Sequence, residues 1–150
     1  MEKQELSPSD HALVAAAAEA VKKPVSQLFG GRAPPLVGAA VGLAGGGIIT
    51  SGNLIADVGC LSVCAEPIAI AEAVKQPDKK IETIVAVYHM PGRDPCVVSP
   101  CGQCREIIAD YAPECSVILR EPGTTDLFKV KASDLLPLRY AEYWQDGRLV

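Results

Sequence analysis

Ser99-Pro100-Cys101-Gly102-Gln103-Cys104, read with Cys64-Ala65-Glu66 upstream, constrains this chain more than any other stretch. Two cysteines three positions apart at a helix start put two thiols on one face, within reach of a single ion. Ser99 can cap such a helix and Pro100 suits its first position, which predicts a helix over residues 100–111. Cys64 offers a third thiolate, and Glu66 a carboxylate that is near the ion without binding it. Three protein ligands with one open position characterise a catalytic zinc site rather than a closed structural one. The alternative is a structural zinc site completed by Cys60 or Cys96, in which Glu66 has no purpose.

The rest of the chain predicts alternating helices and strands. Residues 7–10 supply caps for an alanine-rich helix over 12–23, which Pro24 stops, and 27–35 reads as a loop. The apolar runs 36–43 and 48–51, joined by Gly45-Gly46-Gly47, predict a hairpin whose small residues admit a close neighbour. Ser62 is the expected cap of a helix over 64–75, with Pro67 in its first turn. After a turn at 77–80, residues 81–88 predict a buried strand, and 89–96 lead into the cysteine helix. Strands are expected at 115–119 and 127–130 around a turn at Gly123, then a short helix capped by Ser133 and Asp134. The tail carries Tyr140, Tyr143 and Trp144. With no repeat and no dividing linker, the pattern predicts one domain over 1–150, an α/β sandwich around one mixed sheet.

Of the 150 residues, 49 % are hydrophobic, enough for one buried core. A net charge of −4 without a basic cluster gives no reason to expect nucleic acid as a partner. No segment approaches the length of a membrane span, and Met1-Glu2-Lys3-Gln4-Glu5 is unlike a secretory leader. A cytoplasmic location with reduced thiols is therefore expected. Cys60, Cys96 and Cys115 are expected to be packing residues, His11 a surface residue and His89 a strand end.

A helix N-terminus lowers the pKa of a thiol, and all three candidate ligands fall at helix starts. Zinc held by three thiolates can still bring water towards a pKa of about 7. A carboxylate beside that water, here Glu66, can carry a proton to a ring nitrogen and then to a leaving amine. Cys-x-Glu followed by Pro-Cys-x-x-Cys is a recurring pattern of zinc deaminases.

Over about positions 36 to 140 the chain resembles the cytidine deaminase family, including its blasticidin S deaminase members. The resemblance rests on Val37-Gly38-Ala39-Ala40, Gly52-Asn53, the two cysteine motifs through Arg105, and Asp134-Leu135-Leu136-Pro137. It implies a three-layer α/β/α sandwich around a five-stranded mixed sheet, assembled as a homotetramer or homodimer. It implies Cys64, Cys101 and Cys104 as ligands of one Zn²⁺ per chain, Glu66 as proton shuttle, and Asn53 and Ala65 as substrate contacts. Arg105 is expected either to support a ligand sulfur or to lie on the helix surface.

Three positions depart from the family's pattern. Ile55 stands where a ribose-holding glutamate is usual, Pro35 where an aromatic residue lines the pyrimidine pocket, and Pro67 where a basic residue often follows the shuttle. An apolar side chain cannot hold a hydroxyl, so the pattern points away from cytidine itself as the best substrate. The expectation is a hydrolytic deaminase for a cytosine-like nucleoside, with blasticidin S or another aminated heterocycle as alternative substrate. A non-catalytic zinc-binding protein is the reading from a different class.

Overall fold

The strand β1 (Val37–Leu43) presents a different face to each side of the molecule. Gly38, Ala40 and Gly42 face the helix α1 (Pro8–Lys22), whereas Ala39, Val41 and Leu43 join the core on the other side. A computed structural model of the chain describes residues 1–22, 36–76, 80–90, 92–145 and 148–149. The expected loop at 27–35 and most of the turn at 77–80 lie outside these residues.

α1 starts earlier than its alanine run suggests. Ser7 and Asp10 form a reciprocal capping box: the Ser7 amide donates to Asp10 Oδ2 at 2.8 Å, and the Asp10 amide donates to Ser7 Oγ at 3.3 Å. Pro8 takes the first helical position. Asp10 is buried and also accepts from Lys129 Nζ at 2.8 Å, which ties the helix to the far edge of the sheet.

That sheet is mixed. β2 (Ile48–Gly52), β1, β3 (Ile81–Tyr88), β5 (Ser116–Arg120) and β6 (Leu127–Lys131) lie side by side in that order. Only β3 and β5 run parallel. These five match the expected strands, and a short sixth, β4 (Cys96–Val98), pairs antiparallel with residues 86–88 of β3. β5 takes the first half of that edge and β4 the second. Helices α2 (Ala65–Ala73) and α3 (Gly102–Tyr111) cover the face opposite α1, completing three layers. A small ribbon, β7 (Trp144–Gln145) with β8 (Arg148–Leu149), ends the chain. No described helix is long and apolar enough to cross a membrane.

The closeness of α1 to β1 depends on one missing side chain. A Cβ at Gly38 would lie 2.2 Å from the Ala17 carbonyl oxygen, whereas one at Gly42 would meet the Leu13 methyls at 3.6 Å and the Thr83 carbonyl oxygen at 3.7 Å, both ordinary contacts. Gly38→Ala is expected to cost about 3 kcal/mol in urea unfolding, because backbone must move, and Gly42→Ala to stay within about 1 kcal/mol. Equal effects would show that α1 shifts freely.

Candidate active site

Two helices begin at one end of the sheet, and each begins on a cysteine. Cys64 is the N-cap of α2 and Cys101 the N-cap of α3, both in extended conformation. The sequence pointed instead to Ser62 and Ser99 as caps. Distant partners draw both serines away. Ser62 Oγ accepts the Ala56 amide at 3.1 Å, inside a loop closed by pairing of Leu54 with Val63. Ser99 Oγ accepts from Arg105 Nη2 at 2.9 Å.

Arg105 also donates from Nε to the Pro100 carbonyl at 3.0 Å and from Nη1 to the Leu135 carbonyl at 3.1 Å. All three guanidinium nitrogens are committed to the loop before α3 and the turn Ala132–Leu135. The side chain braces the backbone that presents Cys101, a role the sequence alone did not suggest.

The sulfurs of Cys64, Cys101 and Cys104 lie within 4.8 Å of one another. Cys64 and Cys101 are separated by 3.7 Å, and Cys101 and Cys104 by 3.4 Å. Thiolates around a tetrahedral zinc, with Zn–S about 2.3 Å, stand about 3.8 Å apart, so the set fits that ion. Burial pushes Cys104 well above the ordinary thiol range, and the Glu66 charge and neighbouring thiols add to it. Burial and the Cys101 thiol raise Cys64 as well. Cys101 moves down: burial opposes its thiolate, but the Cys104 amide and the thiols of Cys104 and Cys64 outweigh that. Three sulfurs beside a carboxylate ionise together only around a cation.

Among the described residues, neither Cys60 nor Cys96 joins the group, so three cysteines and not four could hold an ion there. Cys60 is exposed, contrary to the packing role expected of it, because the short turn Gly59–Leu61 that carries it buries nothing. Cys96 is half-buried in β4, and Cys115 is buried with its thiol pushed up to about 12 by desolvation.

Glu66 occupies the first turn of α2 at 4 % exposure, and its Oε2 has no hydrogen-bond partner among the described residues. A buried carboxylate oxygen without a donor is costly and calls for a function. Glu66, Cys64 and Cys101 line a common cavity of about 210 Å³, walled also by Val37, Asn53 and Ser99. Asn53 is partly structural: its Oδ1 accepts the Leu36 and Val37 amides at 2.8 and 2.9 Å. Ala65 is fully buried, and its carbonyl accepts from Ser51 Oγ at 2.6 Å. Sequence reasoning passed over Ser51, although a serine sharing a strand face with Ile49 is a visible oddity. Tyr140, Tyr143 and Trp144 neither cover the core nor line the cavity; they are exposed, with Tyr140 and Trp144 rings 5.9 Å apart. Pro35 lies outside the described residues.

Arg105→Ala is expected to loosen the Cys101 loop and weaken zinc retention against a competing chelator by about 10- to 100-fold. Unchanged retention would show that the loop holds its shape unaided.

The chain matches no protein-family model. It is 46 % identical over 109 residues to a blasticidin-S deaminase from Bacillus cereus, covering 69 % of this chain and 76 % of that protein. Among solved structures, it resembles a cytidine deaminase from Burkholderia pseudomallei, with TM-score 0.66 and 27 % identity over 87 % of this chain and 98 % of that one. A cytidine deaminase from Bacillus anthracis gives TM-score 0.65 and 26 % identity over 86 % and 90 %. Sequence likeness to a deaminase, shared architecture and paired cysteine-capped helices agree. The chain belongs to the cytidine deaminase family and is a deaminase of the cytidine or blasticidin S type.

Proposed function

We propose that this protein is a zinc-dependent hydrolytic deaminase that removes the exocyclic amine of a cytosine-like ring in a small molecule. The reading is carried by the buried Glu66 oxygen, without a hydrogen-bond partner among the described residues, which shares a cavity with two of the three clustered thiols. Cys64, Cys101 and Cys104 would hold one zinc ion per chain. When bound, zinc supplies a Lewis acid that makes water a nucleophile at neutral pH.

Glu66 performs the proton work. Its carboxylate accepts a proton from water, passes it to the ring nitrogen, and a second transfer leads to the departing amine. The balance is one water consumed and one ammonia released, with a ring carbonyl replacing the amine. Burial of Glu66 keeps solvent from competing for that proton. With Oδ1 of Asn53 already accepting two amides, its NH₂ group remains to donate to a substrate oxygen. Ala65, at the first position of α2, has an amide N–H without a partner inside the helix to offer the ring.

Blasticidin S is the favoured alternative to cytidine as substrate. The relative at 46 % identity carries that name, and Ile55 places an apolar, 38 % exposed side chain where a ribose-holding carboxylate was expected. The same reading includes self-association as a homotetramer or homodimer. Leu54, Val58 and Leu61 in the loop beside the cavity are 61, 57 and 64 % exposed, an apolar surface that a second copy would cover.

Ammonia release should be measured on zinc-loaded protein with cytidine, deoxycytidine, cytosine, blasticidin S and aminated purines and pteridines. Turnover of at least one cytosine-bearing compound is expected, and a chelator should abolish it until zinc is restored. Silence on the whole panel, with one zinc bound per chain, would turn the reading to a non-catalytic zinc protein. Glu66→Gln is expected to lower kcat by about 10²- to 10⁴-fold while zinc content stays the same. An active Glu66→Gln variant would remove Glu66 from the chemistry.

A further inference from the structure

We propose that Ser51 is a positioning residue for this reaction: its hydroxyl tethers the Ala65–Glu66 peptide from which the proton-carrying carboxylate projects. The inference rests on the deaminase reading above.

Side chains alternate along β2, so Ser51 shares a face with Ile49, which packs against the core that contains Ala65 and Ala69. Its neighbour across the ladder, Ala39, is fully buried. An apolar residue is the ordinary occupant of such a place. The serine instead donates to the Ala65 carbonyl at 2.6 Å, a short bond in a half-buried setting.

The Ala65 carbonyl does not need this donor. As the first residue of α2, Ala65 already accepts the amide four residues on, by the regular helical pattern. The serine therefore adds a constraint and not a missing partner. Because a peptide unit is planar, holding the Ala65 carbonyl also fixes the Glu66 N–H and Cα, the atom from which the Glu66 side chain leaves the helix.

Pro67 explains why an outside tether matters here. A residue before proline is disfavoured in helical conformation, yet Glu66 is helical and precedes Pro67. Proline at the third helical position also removes the N–H that a capping side chain ordinarily accepts, and Cys64 makes no side-chain cap hydrogen bond. The first turn of α2 is thus weakly anchored from within. Among the described residues Glu66 Oε2 has no hydrogen-bond partner, so the aim of the carboxylate depends on its backbone. β2 supplies the anchor through Ser51.

The test compares Ser51→Ala and Ser51→Thr with the parent, all as full-length, zinc-loaded protein. Ser51→Ala is expected to lower kcat about tenfold, with KM and zinc content within about twofold, because a small misplacement of a catalytic group is costly. Ser51→Thr, which restores the hydroxyl, should recover most of the loss. Independently of turnover, the Ala65 carbonyl ¹³C and Glu66 amide ¹⁵N resonances should move in Ser51→Ala and return in Ser51→Thr. A parent inactive on every compound overturns the deaminase reading. An active parent with unchanged kcat in Ser51→Ala overturns this inference alone. So do unmoved resonances, or a loss that follows zinc content and is not recovered by threonine.

Discussion

A helix N-terminus carries unpaired N–H groups and partial positive charge, and in this protein two of them converge on the same three sulfurs. The sheet makes that convergence unavoidable. β4 pairs with the last residues of β3, so α3 starts at that end; Val37, which pairs with Tyr88 there, lines the cavity. α2 reaches the same end from the other side, after β2 and the loop that closes between Leu54 and Val63. A crevice outside the carboxyl ends of strands is where an α/β sheet leaves helix N-termini free to meet a ligand.

Holding four groups of negative tendency together needs a rigid frame. Ala65, Ala69 and Ala73 recur on one side of α2 and are all within 1 % of full burial, against Ala39 and Val41 of β1. Small residues on both sides let helix and sheet approach closely and leave little room to slide. On the other face Gly38 lets α1 lie equally close, so β1 is gripped from both sides. Electrostatic strain at the helix ends is offset by apolar packing behind them. Arg105 and Ser51 then fix the local backbone on the α3 and α2 sides respectively.

The clustering of the three thiols was legible in the sequence because the spacing of side chains on a helix is a local property. Cys101 and Cys104 share a face of any helix that starts near Pro100, and Cys64 with Glu66 needs only one further helix start. Alternation of helical and apolar stretches pointed to an α/β sandwich around one mixed sheet, whereas its three layers were implied only by the family resemblance. What the sequence hid was set by tertiary partners. Ser62 and Ser99 are good caps by type, and only Ala56 and Arg105, placed by the fold, divert them. β4 is three residues long after a proline-rich stretch, too short for a pattern to register. Cys60 resembles any other apolar-flanked cysteine, and its exposure comes from a turn that buries none of its own residues.

Asn53 shows how a structural and a binding role can share one side chain. Read from sequence, it is either the end of a strand or a contact to a sugar. In the fold its Oδ1 accepts two backbone amides at the start of β1, and its backbone N–H donates to the Val37 carbonyl at 2.9 Å. Those bonds hold the side chain at the cavity wall and use up its acceptor. What remains is a donor, so a ligand meets Asn53 only through an oxygen or nitrogen lone pair. The next residues, Leu54 and Ile55, add no polar group there. With Val37, Leu54 and Val63 beside it, the Asn53 NH₂ group sits in a mostly apolar stretch of the cavity wall. At the other end the thiols of Cys64 and Cys101 and the buried Glu66 carboxylate line the cavity, with the Cys104 sulfur within 4.8 Å of both thiols. The ionisable groups of the cavity, Cys64, Glu66 and Cys101, are thus gathered at the two helix starts, away from the Asn53–Leu54 wall.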